Sequence, residues 1–153
     1  MLQKQISVFV ENQRGRLADV TQCLGDNGID LSALSIADTA DFGILRLIVD
    51  KPEQAERALR DSGFAVSVTE VISLSVDDRP GGLAAALSVM DSCGIDIDYM
   101  YAFIKRNEDK AMVIVRVDKP AEAVELLRGT PIGLPSVTDA GAATVTDAGA
   151  APQ

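Results

Sequence analysis

Histidine is absent from this sequence, and cysteine occurs only twice, at Cys23 and Cys93. The missing histidine removes the commonest general base and the commonest metal ligand. The two cysteines stand far apart without CxxC spacing, which argues against a metal, redox or iron–sulfur site. No serine occupies a strand-turn-helix elbow. The sequence therefore predicts no catalytic residue and no cofactor, and we expect a protein that is not an enzyme in its own right.

Basic residues are also few, with 14 Lys and Arg against 23 Asp and Glu and a net charge of −9. Binding to a nucleic-acid backbone depends on clustered Lys and Arg, so the composition excludes nucleic acid as a partner. No apolar run approaches the length of a membrane-spanning helix, and residues 1–5 lead into an alternating strand without a signal-peptide core. These features predict a cytoplasmic chain with no membrane partner.

What the sequence does contain is an internal repeat. Arg14 to Ala18 matches Pro80 to Ala84 and Gly28 to Leu31 matches Gly94 to Ile97 at an offset of 66, while Val49 to Pro52 matches Val117 to Pro120 at an offset of 68. An insertion of two residues between the matched segments explains the change of offset. The pattern indicates a duplicated unit of about 65 residues, a size that buries only about 60% of its unfolded surface. Each half is therefore expected to need the other.

Each half begins with a strand and a helix. Alternating apolar positions predict the strands at Ile6, Val8 and Val10 and at Ile72, Leu74 and Val76. Apolar positions three to four residues apart predict the helices at Leu17, Val20 and Leu24 and at Leu83, Leu87 and Met90. Glycine readily adopts the left-handed conformation that closes a helix, so these helices are expected to end before Gly28 and Gly94.

A hairpin, a second helix and a last strand complete each half. The hairpin strands are predicted at residues 29–37 and 42–49, and at 95–104 and 111–117. The second helices are expected to begin near Pro52, with Asp50 as the cap, and near Pro120. The last strand of the first half is predicted at 64–69. Its counterpart around Ile132, Leu134 and Val137 contains prolines, which an edge strand tolerates.

Right-handed crossovers arrange each βαββαβ unit as a four-stranded antiparallel sheet with its helices on one face. The predicted fold class is α+β, with two ferredoxin-like units side by side. We place these units at residues 1–70 and 71–138. Residues 139–153 form a short low-complexity repeat with almost no large apolar side chain, and we expect a disordered tail there.

The two glycine turns carry a family resemblance. Asn12 to Leu17 and Asp77 to Leu83 resemble the turns of ACT domains, which are small-molecule-binding regulatory modules. The stretch from Leu34 to Gly43 is similar to a subgroup of stand-alone bacterial proteins with two ACT domains. The second turn keeps the Pro-Gly pair of the family. Arg14 replaces the proline in the first turn, so the site there is expected to be weaker.

The resemblance implies allosteric regulation through an amino-acid site between ACT units, with the turn of one unit facing the second strand of the other. The residues expected to line two such sites are Asn12, Gln13, Arg14, Gly15, Arg16, Leu17, Leu34, Ser35, Ile36, Ala37, Asp38, Asp77, Asp78, Arg79, Pro80, Gly81, Gly82, Leu83, Tyr99, Met100, Tyr101 and Ala102. No metal ligand is among them.

Elementary electrostatics also favours a ligand at these turns. A glycine turn before a helix leaves backbone N–H groups at the positive end of the helix dipole, where a carboxylate can bind. Strand carbonyls, or the acids Asp38, Asp77, Asp78 and Asp98, are candidate acceptors for the ammonium group. A single glycine turn is more often structural, and arginines near a loop are often only solvated charges. The repetition of the turn at matched positions favours binding.

Two further sets of residues suggest contacts between units or chains. The hydroxyls of Tyr99 and Tyr101 need partners, which a seam between units would supply. Apolar residues also fall on the sheet face without helices, at Phe9, Ile44, Ile48, Met112 and Ile114. An apolar patch of this size is unusual on a monomer, so we expect a second chain to cover it in a homodimer.

Two functions remain open at this point. The chain could be a sensor that binds a free amino acid. It could instead be a non-catalytic subunit that binds and controls a separate enzyme of amino-acid metabolism, with or without its own ligand.

Overall fold

The computed structural model of the chain describes residues 1–38, 41–104 and 109–134. The elements in these ranges are β1 (Leu2–Glu11), α1 (Arg16–Asp26), β2 (Leu31–Asp38), β3 (Phe42–Val49), α2 (Pro52–Asp61), β4 (Ala65–Asp77), α3 (Gly82–Ser92), β5 (Ile97–Ala102), β6 (Lys110–Val117) and α4 (Pro120–Leu127). The expected tail at 139–153, and Val137 of the expected last strand, lie outside the described residues.

The strands form one antiparallel sheet in the order β2-β3-β1-β4-β6-β5. This arrangement confirms the α+β fold and the tandem of βαββαβ units that the repeat predicts. The helices cover one face of the sheet. In the first unit Ile6, Val8 and Leu47 pack with Val20 of α1 and Leu59 of α2, and all five side chains are buried. The second unit repeats this core around Ile72, Leu74, Val115, Met90 and Leu127.

The ends of the helices follow the sequence signals with one exception. Gly28 (φ 62°) and Gly94 (φ 68°) follow α1 and α3 in the left-handed conformation, as expected. The expectation that Asp50 caps α2 is wrong, because Lys51 occupies the N-cap position and no side chain caps the helix. The Asp50 carboxylate instead accepts a hydrogen bond from the backbone N–H of Asp30 at 2.9 Å. It therefore fastens the start of β2 to the end of β3.

Strand β4 belongs to both units. Its first half pairs with β1, where Ala65 lies opposite Phe9, and its second half pairs with β6. Met1, directly before β1, also pairs with the second half of β4, since the Ser73 N–H donates to the Met1 carbonyl at 2.8 Å. The last strand of the second unit, which was expected at a sheet edge, follows this same side of β4. Because β1 occupies part of that side, the described part of the last strand is reduced to one bridge between Gly133 and Ser75.

The sheet curls until its two edge strands meet. Phe103, directly after β5, forms an antiparallel bridge with Ala33 of β2, and the Ile104 N–H donates to the Ser32 carbonyl at 3.0 Å. The face without helices, which we call the inner face, therefore closes on itself. Ala33, Ile48, Val71 and Ile114 are buried there, with Tyr101 and Phe103 packed against them.

This closure corrects the expectation that a second chain covers the inner face. Ile48, Met112 and Ile114 are at most 8% exposed within the single chain, because each unit covers the inner face of the other. Phe9 remains 46% exposed, so only part of the predicted apolar patch is available to another chain. No helix in the described ranges is long and apolar enough to cross a membrane.

Candidate functional site

Both glycine turns open a helix with the same backbone conformation. Gly15 (φ 91°) precedes α1 and Gly81 (φ 85°) precedes α3, and both are left-handed, a conformation that glycine adopts without steric cost. Neither helix has a side chain that caps its first N–H groups. No described atom lies within 4 Å of the place that a Cβ would take at either glycine. Each turn thus presents backbone donors beside open space.

The second turn is fastened through Asp77. The Lys110 ammonium and the Arg79 guanidinium both donate hydrogen bonds to the Asp77 carboxylate, with an Arg79 Nη2 to Asp77 Oδ2 distance of 3.1 Å. These two donors, Lys110 first, lower the pKa of Asp77 below its ordinary value. Because the Asp77 carboxylate already accepts hydrogen bonds from two cations of the chain, it is a weaker candidate acceptor for the ammonium group of a ligand. The backbone of Asp77 is also close to the helix, since a Cβ on Gly82 would collide with the Asp77 carbonyl oxygen.

The first turn has a different chemistry. Arg16 stands where the second unit has Gly82, and its guanidinium lies 4.9 Å from the centre of the Phe64 ring and 3.5 Å from the Asp19 carboxylate. Arg14, in the place of the family's proline, is exposed and forms no ion pair with another described residue. The first turn thus has an arginine side chain where the second has a glycine packed against the end of its strand.

Each turn lies beside the hairpin of its own unit. The Asn12 N–H donates to the Asp41 carbonyl at 3.1 Å, and the Asp78 N–H donates to the Asp109 carbonyl at 2.9 Å. Among the described residues, no hydrogen bond joins either turn to the second strand of the other unit. Contact of a turn with the strand of the other unit thus stays a prediction.

The second strands of the two units, in contrast, come together. The antiparallel bridge between Ala33 and Phe103 places residues 34–38 and 98–102 on facing edges of β2 and β5. We call the line between these edges the seam. Along it Leu34 and Ile36 are 40% and 47% exposed, Ala37 and Ala102 are exposed, and Ser35, Tyr99, Met100 and Tyr101 are partly buried. The side chain of Asp38 lies outside the described part of the chain.

A fully buried glutamine that the sequence reasoning missed joins the two units. The Gln5 amide nitrogen donates to the Tyr99 hydroxyl at 2.7 Å, and the Gln5 amide oxygen accepts from the Tyr101 hydroxyl at 2.8 Å. These bonds confirm that the tyrosine hydroxyls find their partner between the units. The available signal was Gln3, Gln5 and Ser7, three polar residues that alternate with the apolar face of β1.

Two arginines on the inner face were also missed. Arg46 of β3 stacks on Tyr99, with its Cζ 3.9 Å from the ring centre. Arg116 of β6 lies 3.8 Å from the Asp98 carboxylate and donates to the Glu70 carbonyl at 3.1 Å. Asp98, an expected acceptor for a ligand ammonium, is therefore already paired. The signal for both arginines is one charged residue in the middle of an otherwise apolar strand.

A separate cleft of about 270 Å³ lies away from the seam, between the start of β5 and α4. In the first unit the matched place is bridged by the Lys51 ammonium, which donates to the Gly28 carbonyl at 2.7 Å, and by Gln54, which donates to the Asn27 carbonyl at 3.0 Å. Glu122 replaces Gln54 in the second unit, and its carboxylate cannot donate the matching hydrogen bond. The acidic lining of the cleft is unsuited to a carboxylate.

The described residues contain no cluster of three or more His, Cys, Asp or Glu side chains arranged for a metal ion. Cys23 and Cys93 are free, partly buried thiols.

Comparison with known proteins places this geometry in a family. The sequence profile of the ACT domain pair matches residues 1–132. A solved protein of Bacteroides thetaiotaomicron is 41% identical, with 92% of this chain and 96% of that chain covered and a TM-score of 0.84. The chain therefore belongs to the ACT domain pair family.

More distant structures share the fold. The ligand-free regulatory subunit of aspartate kinase from Thermus thermophilus has a TM-score of 0.61 at 19% identity, covering 81% of this chain and 89% of that one. The regulatory subunit of aspartate kinase from Thermus flavus has a TM-score of 0.58 at 20% identity, covering 82% and 90%. None of the curated proteins matches the chain.

The environment of Tyr101 leads to a prediction about its titration. Burial raises the pKa of Tyr101 above its ordinary value of 10.0. The protein has two tyrosines and no tryptophan, so in Tyr99→Phe the phenolate absorbance comes from Tyr101 alone. We expect this phenol to remain protonated in the folded protein at a pH where a free tyrosine is half ionised. Because the pKa is raised on folding, its contribution to stability is complete below about pH 10 and is lost at higher pH.

The denatured Tyr99→Phe protein supplies the reference titration. If the native and denatured proteins gave the same curve, the Tyr101 hydroxyl would not be buried against Gln5.

Proposed function

We propose that this chain is a regulatory module that binds a free amino acid and has no catalytic activity of its own. The observation that carries the proposal is the repetition of one backbone arrangement, a left-handed glycine before an uncapped helix that faces open space. One such turn is an ordinary structural feature. Two at matched positions of a duplicated unit indicate shared ligand chemistry, and the N–H groups suit a carboxylate.

The proposed sites combine these turns with the seam. Residues 12–17 and 77–83 supply the carboxylate donors, and residues 34–38 and 98–102 supply carbonyl oxygens for the ammonium group. Asp77 and Asp98 are paired with cations of the chain, which favours strand carbonyls over these two acids as acceptors. Membership in the ACT domain pair family supports a regulatory role. We place the module in the cytoplasm, with the enzymes of amino-acid metabolism that it would serve.

A second candidate function is that of a non-catalytic subunit that controls a separate enzyme of amino-acid metabolism. The fold shared with the regulatory subunit of aspartate kinase from Thermus thermophilus favours it, because this chain covers 89% of that subunit. The purified chain distinguishes the two. A sensor responds to its amino acid alone, whereas a subunit without its own ligand gives no response until its enzyme is added.

A thermal-shift screen of the common amino acids tests the proposal. A ligand that binds only the folded state stabilises it by about 2.7 kcal/mol at a hundredfold excess over its dissociation constant. For a chain of this length the melting temperature should rise by roughly 5 to 10 °C. Gly81→Val should remove the shift at the second site, because the side chain fills the open space beside the helix N–H groups. Gly15→Val should do the same at the first, weaker site.

Gly63→Val is the matched control. Gly63 has the same left-handed conformation (φ 85°) and the same open surroundings, but it follows α2 and lies in neither turn. All three variants should lose a similar stability of about 1–3 kcal/mol from backbone strain. Only the turn variants should lose the response to the amino acid. A full wild-type shift in both Gly15→Val and Gly81→Val would place the ligand elsewhere.

The proposal includes a homodimer. Phe9 and Phe42 lie on the adjacent strands β1 and β3 and are 46% and 56% exposed, so the end of the first unit keeps an apolar surface after the inner face has closed. Light scattering should give a dimer for the wild-type protein and a shift toward monomer for Phe42→Ser. Ile104→Ser, which removes a 59% exposed side chain after β5, should remain dimeric. A wild-type monomer at micromolar concentration would contradict this part of the proposal.

A further inference from the structure

The duplication allows the two ends of the seam to be compared. The offset of 66 residues matches Ala33 to Tyr99 and Ala37 to Phe103. The counterpart of the bridge between Ala33 and Phe103 is therefore a bridge between Ala37 and Tyr99. The described residues form the first bridge and do not form the second. The bridge thus closes one end of the seam, and the end without a bridge is called the open end.

The side chains at the two ends explain this difference. At the closed end, Ala33, Phe103 and Ile114 belong to one apolar cluster. The offset of 68 residues in the third strands matches Ile114 to Arg46. The open end therefore has the Arg46 guanidinium stacked on the Tyr99 ring where the closed end has apolar contacts.

Arg46 is a partly buried cation without an anionic partner among the described residues. Its Nε is shielded from solvent without a hydrogen-bond acceptor. No described carboxylate lies within ion-pair distance of it, whereas Arg116, the other arginine of the inner face, has Asp98. Shielding even part of a guanidinium from water without an anion costs free energy, which stacking on an aromatic ring only partly offsets.

The strand register surrounds Arg46 with small hydroxyl side chains. Ser35 of β2 and Ser7 of β1 lie directly opposite Arg46 on its two neighbouring strands. Side chains in such positions are about 5 Å apart at their Cβ atoms and lie on the same face of the sheet, so Ser7 and Ser35 flank the Arg46 side chain. An anion at this end of the seam would find a cation and hydroxyl donors together.

We infer that the open end of the seam binds a small carboxylate and that Arg46 is its receptor. The planar guanidinium donates to both carboxylate oxygens, and the Tyr99 ring fixes its orientation. The ligand is an organic acid or the carboxylate of an amino acid, since both present the same group. This site shares the seam with the proposed amino-acid sites but uses neither glycine turn, so variants of Arg46 test it separately from variants of Gly15 and Gly81.

Propionate, alanine and alaninamide form a matched set of probes at constant ionic strength. Alanine is propionate with an ammonium group, and alaninamide lacks the carboxylate. Binding is followed by tyrosine fluorescence, which comes only from Tyr99 and Tyr101. We expect a saturable change with propionate and alanine and none with alaninamide. A lower dissociation constant for propionate than for alanine indicates an organic acid as the natural ligand, and the reverse order indicates an amino acid.

Arg46→Gln should raise the dissociation constant for propionate at least about tenfold, because a charge-assisted pair of hydrogen bonds is lost. Arg116→Gln is the matched control and should bind propionate as the wild-type protein does. Arg46→Lys keeps the charge but loses the planar fork, and it should also bind at least several-fold more weakly. If Arg46→Gln does not fold, the affinity of Arg46→Lys for propionate tests the inference instead.

Three results would overturn the inference. The first is that the wild-type protein shows no saturable response to propionate or alanine. The second is that the folded Arg46 variants bind propionate with wild-type affinity. The third is that Arg116→Gln loses as much affinity for propionate as Arg46→Gln does. The glycine-turn sites are unaffected by any of these results, because their test is the melting temperature of the Gly15 and Gly81 variants.

Discussion

The amide of Gln5 is the interaction on which the closed inner face depends. β1 lies in the middle of the sheet and β5 at its edge, yet the Gln5 side chain bonds to the hydroxyls of both Tyr99 and Tyr101. A buried polar group without a partner costs about 1–3 kcal/mol, so bonding between the buried amide and the two hydroxyls favours the closed arrangement. The edge strand is therefore held over the centre of the sheet, and each unit covers the inner face of the other.

The seam and its asymmetry follow from this closure. Once β5 lies over β1, its edge meets the edge of β2, and the apolar residues around Ile114 seal one end. The other end carries Arg46 and Tyr99 and does not pair. A ligand at the open end or between a turn and the seam would add contacts between units that are otherwise joined by β4, the Gln5 network and the closed end of the seam. Binding can thus change how firmly the two units are held together, which is a physical basis for regulation.

The sequence predicts the local structure well, because the signals are local. The repeat defines the two units, the apolar periods define strands and helices, and Gly28 and Gly94 end helices by their own backbone preference. The left-handed turns at Gly15 and Gly81 also follow from short motifs. The assignment of strands 34–38 and 98–102 to the candidate site came instead from the resemblance to ACT domains.

Features that depend on distant contacts could not be predicted. An apolar inner face gives the same alternation of apolar residues whether a second chain or the other unit covers it. The position of Ile114 in the sequence therefore did not indicate which of the two buries it. Asp50 satisfies the rule for a helix cap, but the N–H of Asp30 competes for its carboxylate. Gln5 and Arg46 are polar residues within strand patterns, and only the curl of the sheet brings both of them to Tyr99.

Amide hydrogen exchange in the presence of an amino acid that raises the melting temperature tests most directly whether the seam between the units is the ligand site. The account predicts slower exchange in residues 34–37 and 98–102 and in the glycine turns, with little change in α2 and α4, which pack on the other face of the sheet. Slower exchange confined to the helices, with no change along the seam, would contradict it.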